Sequence, residues 1–81
     1  MTVAEYNIMF VTQCGVCAIC RQPETVTFRG NLKPLAVDHH HGTNARRSLL
    51  CAKCNQGLGM FRDNPELLIA ATEYLWSFAQ T

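Results

Sequence analysis

Near the N-terminus the apolar side chains Val3, Tyr6, Met9 and Phe10 recur at helical spacing, and Thr2 with Glu5 makes a T-x-x-E capping box. The pattern predicts a short helix over residues 3–13 that ends near Cys14-Gly15. A loop follows, with turn signals at Gln22-Pro23 and Arg29-Gly30-Asn31. The runs "LAVDHH" (35–40) and "RSLLC" (47–51) read as two strands joined by "HGTN", in which Gly42 and Asn44 tolerate positive φ. They predict a hairpin with histidines near its tip. Beyond Cys54 a short helical segment runs to about Phe61, and "DNPELL" starts another helix, with Asn64 as N-cap and Pro65 as first helical residue. On that last helix Leu67, Leu68, Ala71, Tyr74, Leu75 and Phe78 form a core stripe. Ile69 and Trp76 fall off the stripe. They are expected to cover the first helix, because so small a domain needs its apolar residues inside, with a second subunit as the alternative.

The 81 residues predict one domain, 1–81, too small to be secure without a staple. The cysteines supply a candidate. There are five, an odd number that fits a disulfide framework poorly, and "MTVAEYNIMF" lacks a basic leader with an apolar core, so a reducing cytoplasm is expected. No apolar run approaches the ~20 residues that cross a bilayer, so no membrane partner is expected. Cys17 and Cys20 form one C-x-x-C and Cys51 and Cys54 another, the spacing that lets paired thiolates reach a structural Zn²⁺. The rival readings are a redox pair and disulfides. The 30 residues between the knuckles exceed the ~15–20 of a simple zinc ribbon, so the intervening segment should carry structure of its own. Cys14 and Cys17 share the same spacing. Cys14 is expected to be a buried small hydrophobe, with a swapped ligand as the alternative.

The net charge of +1 hides an asymmetry. All seven Lys and Arg lie between Arg21 and Arg62 with only Glu24 and Asp38 as acids, a local +5, whereas Glu5, Asp63, Glu66 and Glu73 lie outside that window. A basic centre of this kind suits phosphates, with a mixed solvated surface as the alternative reading of the charges.

All three histidines fall in "VDHHHGTN". Asp38 precedes them, and Asn55 directly follows the last knuckle cysteine, which would pin it close to the hairpin. A carboxylate and an amide oxygen to hold a hard cation, with an imidazole to deprotonate water, suit phosphodiester hydrolysis.

The runs "CAIC", "LAVDHHHGTNARRSLLC" and "CNQGLGMFRDNPELLIAATEYL" resemble the recombination endonuclease VII group of HNH, or ββα-metal, nucleases over roughly Thr2 to Leu75. The resemblance implies an α+β fold, a small zinc-stapled ββα-metal domain with a β-hairpin packed against short helices. It implies a metal-dependent DNA endonuclease in which Cys17, Cys20, Cys51 and Cys54 hold structural zinc and Asp38 and Asn55 hold a catalytic Mg²⁺ or Mn²⁺. His39 would be the general base, His41 would contact the scissile phosphate region, and Arg47 matches the family's arginine before the second strand. Arg47 is expected at the DNA phosphates, with Arg46 and Lys53 as further candidates for which a solvated face is the alternative. The family commonly reads D-H-D-H where His40 stands here, so His40 is expected to be a surface histidine. Cys14 stands where a small residue is usual. Two alternatives stay open: a zinc-knuckle module that binds nucleic acid or protein without catalysis, and a nuclease subunit active only with a partner such as a phage packaging motor or a recombination protein. A homodimer through Ile69 and Trp76 is a further option, and the setting implied is the cytoplasm of a bacterial or phage-infected cell.

Overall fold

A computed structural model describes residues 1–40 and 42–79. The capping box forms as its sequence predicts. Thr2 Oγ1 accepts from the Glu5 amide at 3.1 Å, and Glu5 accepts from the Thr2 amide at 3.2 Å, starting α1 (Val3–Thr12). The helix ends where Cys14 and Gly15 take φ of 56° and 73° and return their amides to Val11 and Phe10 at 2.9 Å each, a Schellman arrangement. Cys14 therefore occupies a left-handed position at the surface and is exposed, not the buried hydrophobe expected. Its backbone conformation, not its apolar character, decides where it points.

Arg29 and Gly30, at φ 53° and 83°, make a type I′ turn between β1 (Thr27–Phe28) and β2 (Asn31–Leu32). The turn is legible in the sequence, whereas two-residue strands leave no period to read. The main hairpin pairs β3 (Ala36–His39) antiparallel to β4 (Arg46–Leu50). Asn44, at φ 59°, supports its tip as the sequence suggests. The register runs Ala36↔Leu50, Val37↔Leu49 and then His39↔Arg46, so two residues of β4, Arg47 and Ser48, stand opposite Asp38 alone. Such a bulge re-aims the side chains around it.

The next helix, α2 (Ala52–Met60), begins earlier than predicted because Cys51 is its N-cap, the thiol accepting from the Cys54 amide at 3.4 Å. It ends in a second Schellman turn: Arg62 and Asp63, at φ 57° and 52°, return their amides to Gly59 and Leu58 at 2.9 and 2.8 Å. Asn64 Oδ1 then accepts from the Glu66 amide at 2.9 Å and Pro65 opens α3 (Pro65–Phe78), as read from the sequence.

The fold is α+β, with two hairpins and three helices among the described residues. Its core lies between α1, the main hairpin and α2, and consists of Cys17, Leu35, Leu49, Leu50 and Cys51, with Tyr6, Met9, Val37 and Leu58 packed on it. Polar groups stitch α1 to this core. Tyr6 donates to the Leu35 carbonyl at 2.7 Å, and the Gln13 amide both donates to the Leu49 carbonyl (3.0 Å) and accepts from the Leu49 amide (2.9 Å), much as a neighbouring strand would.

The core stripe predicted on α3 does not become core. Leu67, Leu68 and Ala71 are half-buried, but Tyr74, Leu75, Trp76 and Phe78 are 62–68% exposed and Ile69 is 58% exposed. The expectation that Ile69 and Trp76 cover the first helix within one chain is corrected accordingly. The left-handed pair Arg62-Asp63 sends α3 away from a core already closed by the cysteine knuckles and the hairpin. The radius of gyration, 14.7 Å, compares with about 12 Å for a compact chain of this length. The accessible surface, 6351 Å², compares with about 4,900 Å² for a folded monomer of this mass. Among the described residues no helix is long and apolar enough to cross a membrane.

Candidate functional site

The fold brings the two C-x-x-C knuckles together. Cys17 and Cys20 follow the turn after α1, Cys51 and Cys54 flank the start of α2, and the four Sγ atoms lie within 4.8 Å of one another. Cys20 and Cys51 are 3.8 Å apart at sulfur, about the edge of a tetrahedron whose centre is ~2.3 Å from each thiolate, the Zn²⁺–sulfur distance. That is nearly twice the ~2.05 Å of a disulfide, and all five cysteines are free thiols. Amides of Ile19 and Cys54 point at Cys17 and Cys51 sulfurs, both at 3.4 Å. Burial would raise Cys17, but backbone hydrogen bonds at Cys51, Cys20 and Ile19 outweigh it and hold the thiol down at about 6. Burial, followed by the crowding of the other three sulfurs, pushes Cys54 up to about 12. One thiolate is favoured and another resisted, the electrostatics of a cage that a dication at its centre would relieve. The cluster suits zinc, and Cys14 is not part of it.

Glu24 was not singled out by the sequence as a site residue, yet it ties this cage to the rest of the fold. It is only 7% exposed. One carboxylate oxygen accepts from the amides of Thr25 and Val26 (3.1 Å each), and the other accepts from the amide of Ala52, the first residue of α2, at 2.7 Å. Burial alone would raise its pKa, but these amides prevail and the carboxyl sits below its ordinary value.

Asp38 and His39 lie half-buried on β3, with His39 opposite Arg46. At the bulge Arg47 Nε donates to Asp38 Oδ2 at 2.5 Å, and Nη2 of the same guanidinium donates to Asp63 Oδ2 at 3.1 Å. Arg47, expected on the DNA backbone, is thus held by two carboxylates, one of them the expected metal ligand. A cleft of about 420 Å³ opens there, lined by His40, Gly42, Arg47, Arg62, Asp63 and Pro65. Arg46 is also engaged. Its guanidinium donates to Glu5 Oε2 at 2.8 Å, and that bond, followed by those at Thr2, holds Glu5 at about 2. Two acids from outside the basic window therefore fold back onto its arginines, which tempers the basic centre read along the chain.

Asn55 is exposed on the first turn of α2, the helix that packs on β3. It lines another cleft, of about 280 Å³, that has Ala36 of β3 and Lys33 in its wall. Lys53 is exposed on the same turn. His41 lies outside the described residues.

His40 lies beyond the end of β3 and is exposed, as expected, but its ring is engaged. Nδ1 accepts from the amides of Gly42 and Thr43 at 3.2 Å each and lies 3.3 Å from Thr43 Oγ1. These amides require a deprotonated Nδ1, so the proton resides on Nε2. A Cβ at position 42 would meet the exposed ring at 3.0 Å, so the ring would have to shift by a few tenths of an ångström to admit one. An acid at position 40, as the resembling pattern has, could accept from the same two amides.

A cysteine cage joined to a hairpin and the helix that follows it defines a small cysteine-knuckle α+β domain whose cage suits zinc. The model of the recombination endonuclease VII family matches residues 1–77, and the chain belongs to that family. Membership suggests a nuclease. The chain is also similar to the Gene 59 proteins of Mycobacterium phages D29 and L5, at 41% identity over 76 residues in each case. That match covers 93% of this chain but 43% of either phage protein, so the chain spans less than half the length of these relatives. No solved structure matches it.

Proposed function

We propose that this chain is a single-domain, HNH-type DNA endonuclease that hydrolyses phosphodiester bonds with one divalent ion, Mg²⁺ or Mn²⁺, and is held in shape by structural zinc. The observation that carries the reading is Asp38. It is a carboxylate at a strand bulge beside His39, it already draws a guanidinium, and it stands on the strand against which the Asn55-bearing helix packs. A half-buried carboxylate that draws a cation is the kind of hard oxygen donor that a divalent ion takes in that cation's place. When bound, that ion would polarise the scissile phosphate and stabilise the charge of the displacement. Asp38 and Asn55 would ligate it, His39 would take a proton from the attacking water, and Arg47 would steady a phosphate oxygen, with Arg46 and Lys53 along the backbone. For His41 the phosphate role comes from the family resemblance alone. Cutting is expected to follow backbone and shape more than sequence.

The test is plasmid cleavage by zinc-loaded protein in EDTA, Mg²⁺ and Mn²⁺, beside His39→Ala and Asn55→Ala. Cleavage only with added metal, lost in both variants at unchanged fold, is expected. Full nicking by His39→Ala would overturn the mechanism, and binding without cutting would favour a zinc-knuckle module.

A second reading, in which the nuclease works as an assembly, is favoured by α3. The accessible surface exceeds that of a compact monomer of this mass by roughly 1,400 Å², more than the ~800 Å² per partner of a standard interface. A second copy of this chain seated on Tyr74, Leu75, Trp76 and Phe78 would account for it. A packaging or recombination protein in the cytoplasm of an infected bacterium is the other occupant to test.

A further inference from the structure

The proposed function assigns Arg47 to phosphate, yet in the fold this arginine is the cation of Asp38. Its guanidinium spans Asp38 and Asp63, using Nε for one and Nη2 for the other, with the two carboxylates 11% and 18% exposed at the side chain. Two separate distortions build this bridge. The bulge in β4 puts Arg47 and Ser48 opposite Asp38. The left-handed pair Arg62-Asp63, at φ 57° and 52°, ends α2 with arginine where glycine is ordinarily found and brings Asp63 to the other side of the guanidinium. Non-glycine residues in that conformation are strained and persist where surrounding structure over-determines them.

Building on the reading of Asp38 as a divalent ligand, we propose that Arg47 is a built-in counter-cation of the site and Asp63 its positioning residue. Arg47 occupies Asp38 while no divalent ion is bound, gives it up when one binds, and is retained by Asp63. A guanidinium on a carboxylate and a divalent ion on the same oxygen exclude each other, by charge and by space. Without Asp63, the arginine leaving Asp38 would have no carboxylate partner, so metal binding would carry the cost of setting it loose in the cleft. With Asp63, it is handed over within one side-chain length and stays at the cleft wall, its freed edge available to a phosphate oxygen. Asp63 thus acts through Arg47 and need not touch metal or DNA.

The experiment is calorimetric titration of Mn²⁺ into zinc-loaded protein without DNA, for the wild type, Arg47→Gln, Asp63→Asn, the double variant and Asp38→Asn, each checked for native circular dichroism. Arg47→Gln should bind Mn²⁺ roughly three- to ten-fold more tightly, because the competing cation is gone. Asp63→Asn should weaken Mn²⁺ binding several-fold when Arg47 is present and change it little when Arg47 is glutamine. A bulk charge effect of Asp63 would instead be the same in both backgrounds and would overturn the positioning role. Unchanged or weaker Mn²⁺ binding by Arg47→Gln, with binding abolished in Asp38→Asn, would overturn the proposal and leave the nuclease reading standing. Wild-type Mn²⁺ binding by Asp38→Asn would remove Asp38 as a ligand and both ideas with it. Should Arg47→Gln fail to fold, Arg47→Met keeps the aliphatic stem and carries the same expectation.

Discussion

Replacing Glu24 by glutamine should destabilise the zinc-loaded domain by about 2–4 kcal/mol. The wild-type carboxylate offers an oxygen to each side, accepting two amides within its own turn and the Ala52 amide that opens α2. Glutamine has one oxygen and one amide nitrogen, so whichever way it turns, a donor faces a donor. Each charge-assisted hydrogen bond lost at a buried position is worth about 1.5–3 kcal/mol, and losing the negative charge at a helix N-terminus adds about 0.3–1 kcal/mol. At ~4–8 °C per kcal/mol for a domain of this size, the melting temperature should fall by roughly 10–30 °C. The assay is thermal unfolding by circular dichroism, with zinc content measured before and after.

The pH sign follows from the depressed pKa of Glu24. Its contribution is fully present above the unfolded carboxylate value and is lost only as pH falls through the lower folded value. The gap between wild type and Glu24→Gln should therefore stay constant between pH 6 and 8. A gap below 0.5 kcal/mol, or one that changes across that range, would refute the assignment of Glu24 as the anionic tie between the loop and α2.

Chelation of zinc should unfold the domain at neutral pH, seen as loss of helical circular dichroism that returns on adding Zn²⁺, because binding worth about 10–16 kcal/mol supports a core with so few buried residues. Nitrogen-15 spectra of the imidazoles should show His40 as the Nε2–H tautomer at pH 7.5, and Gly42→Ala should shift that signal by displacing the ring. Trp76→Glu should leave the zinc-loaded fold intact and turn any dimer seen by sedimentation velocity into monomer, whereas a wild type that sediments as a strict monomer at every concentration would remove the second copy from α3.

The sequence by itself determined the local events whose causes lie within a few residues. The capping box at Thr2 and Glu5, Asn64-Pro65 at the start of α3, the hairpin tip at Asn44 and the C-x-x-C pairs are all set by neighbours along the chain, and each forms. The early start of α2 escaped the same reading because its cap is a thiol, Cys51, and not one of the usual hydroxyl, carboxylate or amide residues. What escaped altogether depends on contacts between distant segments. Glu24 meets Ala52 across 28 positions, Glu5 meets Arg46 across 41, and Asp63 meets Arg47 across 16. Charge counted along the chain could not register these meetings, since neutralisation depends on distance in space. The bulge opposite Asp38 adds one residue to β4 without a glycine to announce it, so only the strand register reveals that Arg47 reaches the expected metal ligand. In the same way, periodicity identified an apolar helix in α3 but could not say what covers it. Burial belongs to the partner surface as much as to the helix, and within this chain the cysteine cage closes the core before α3 reaches it.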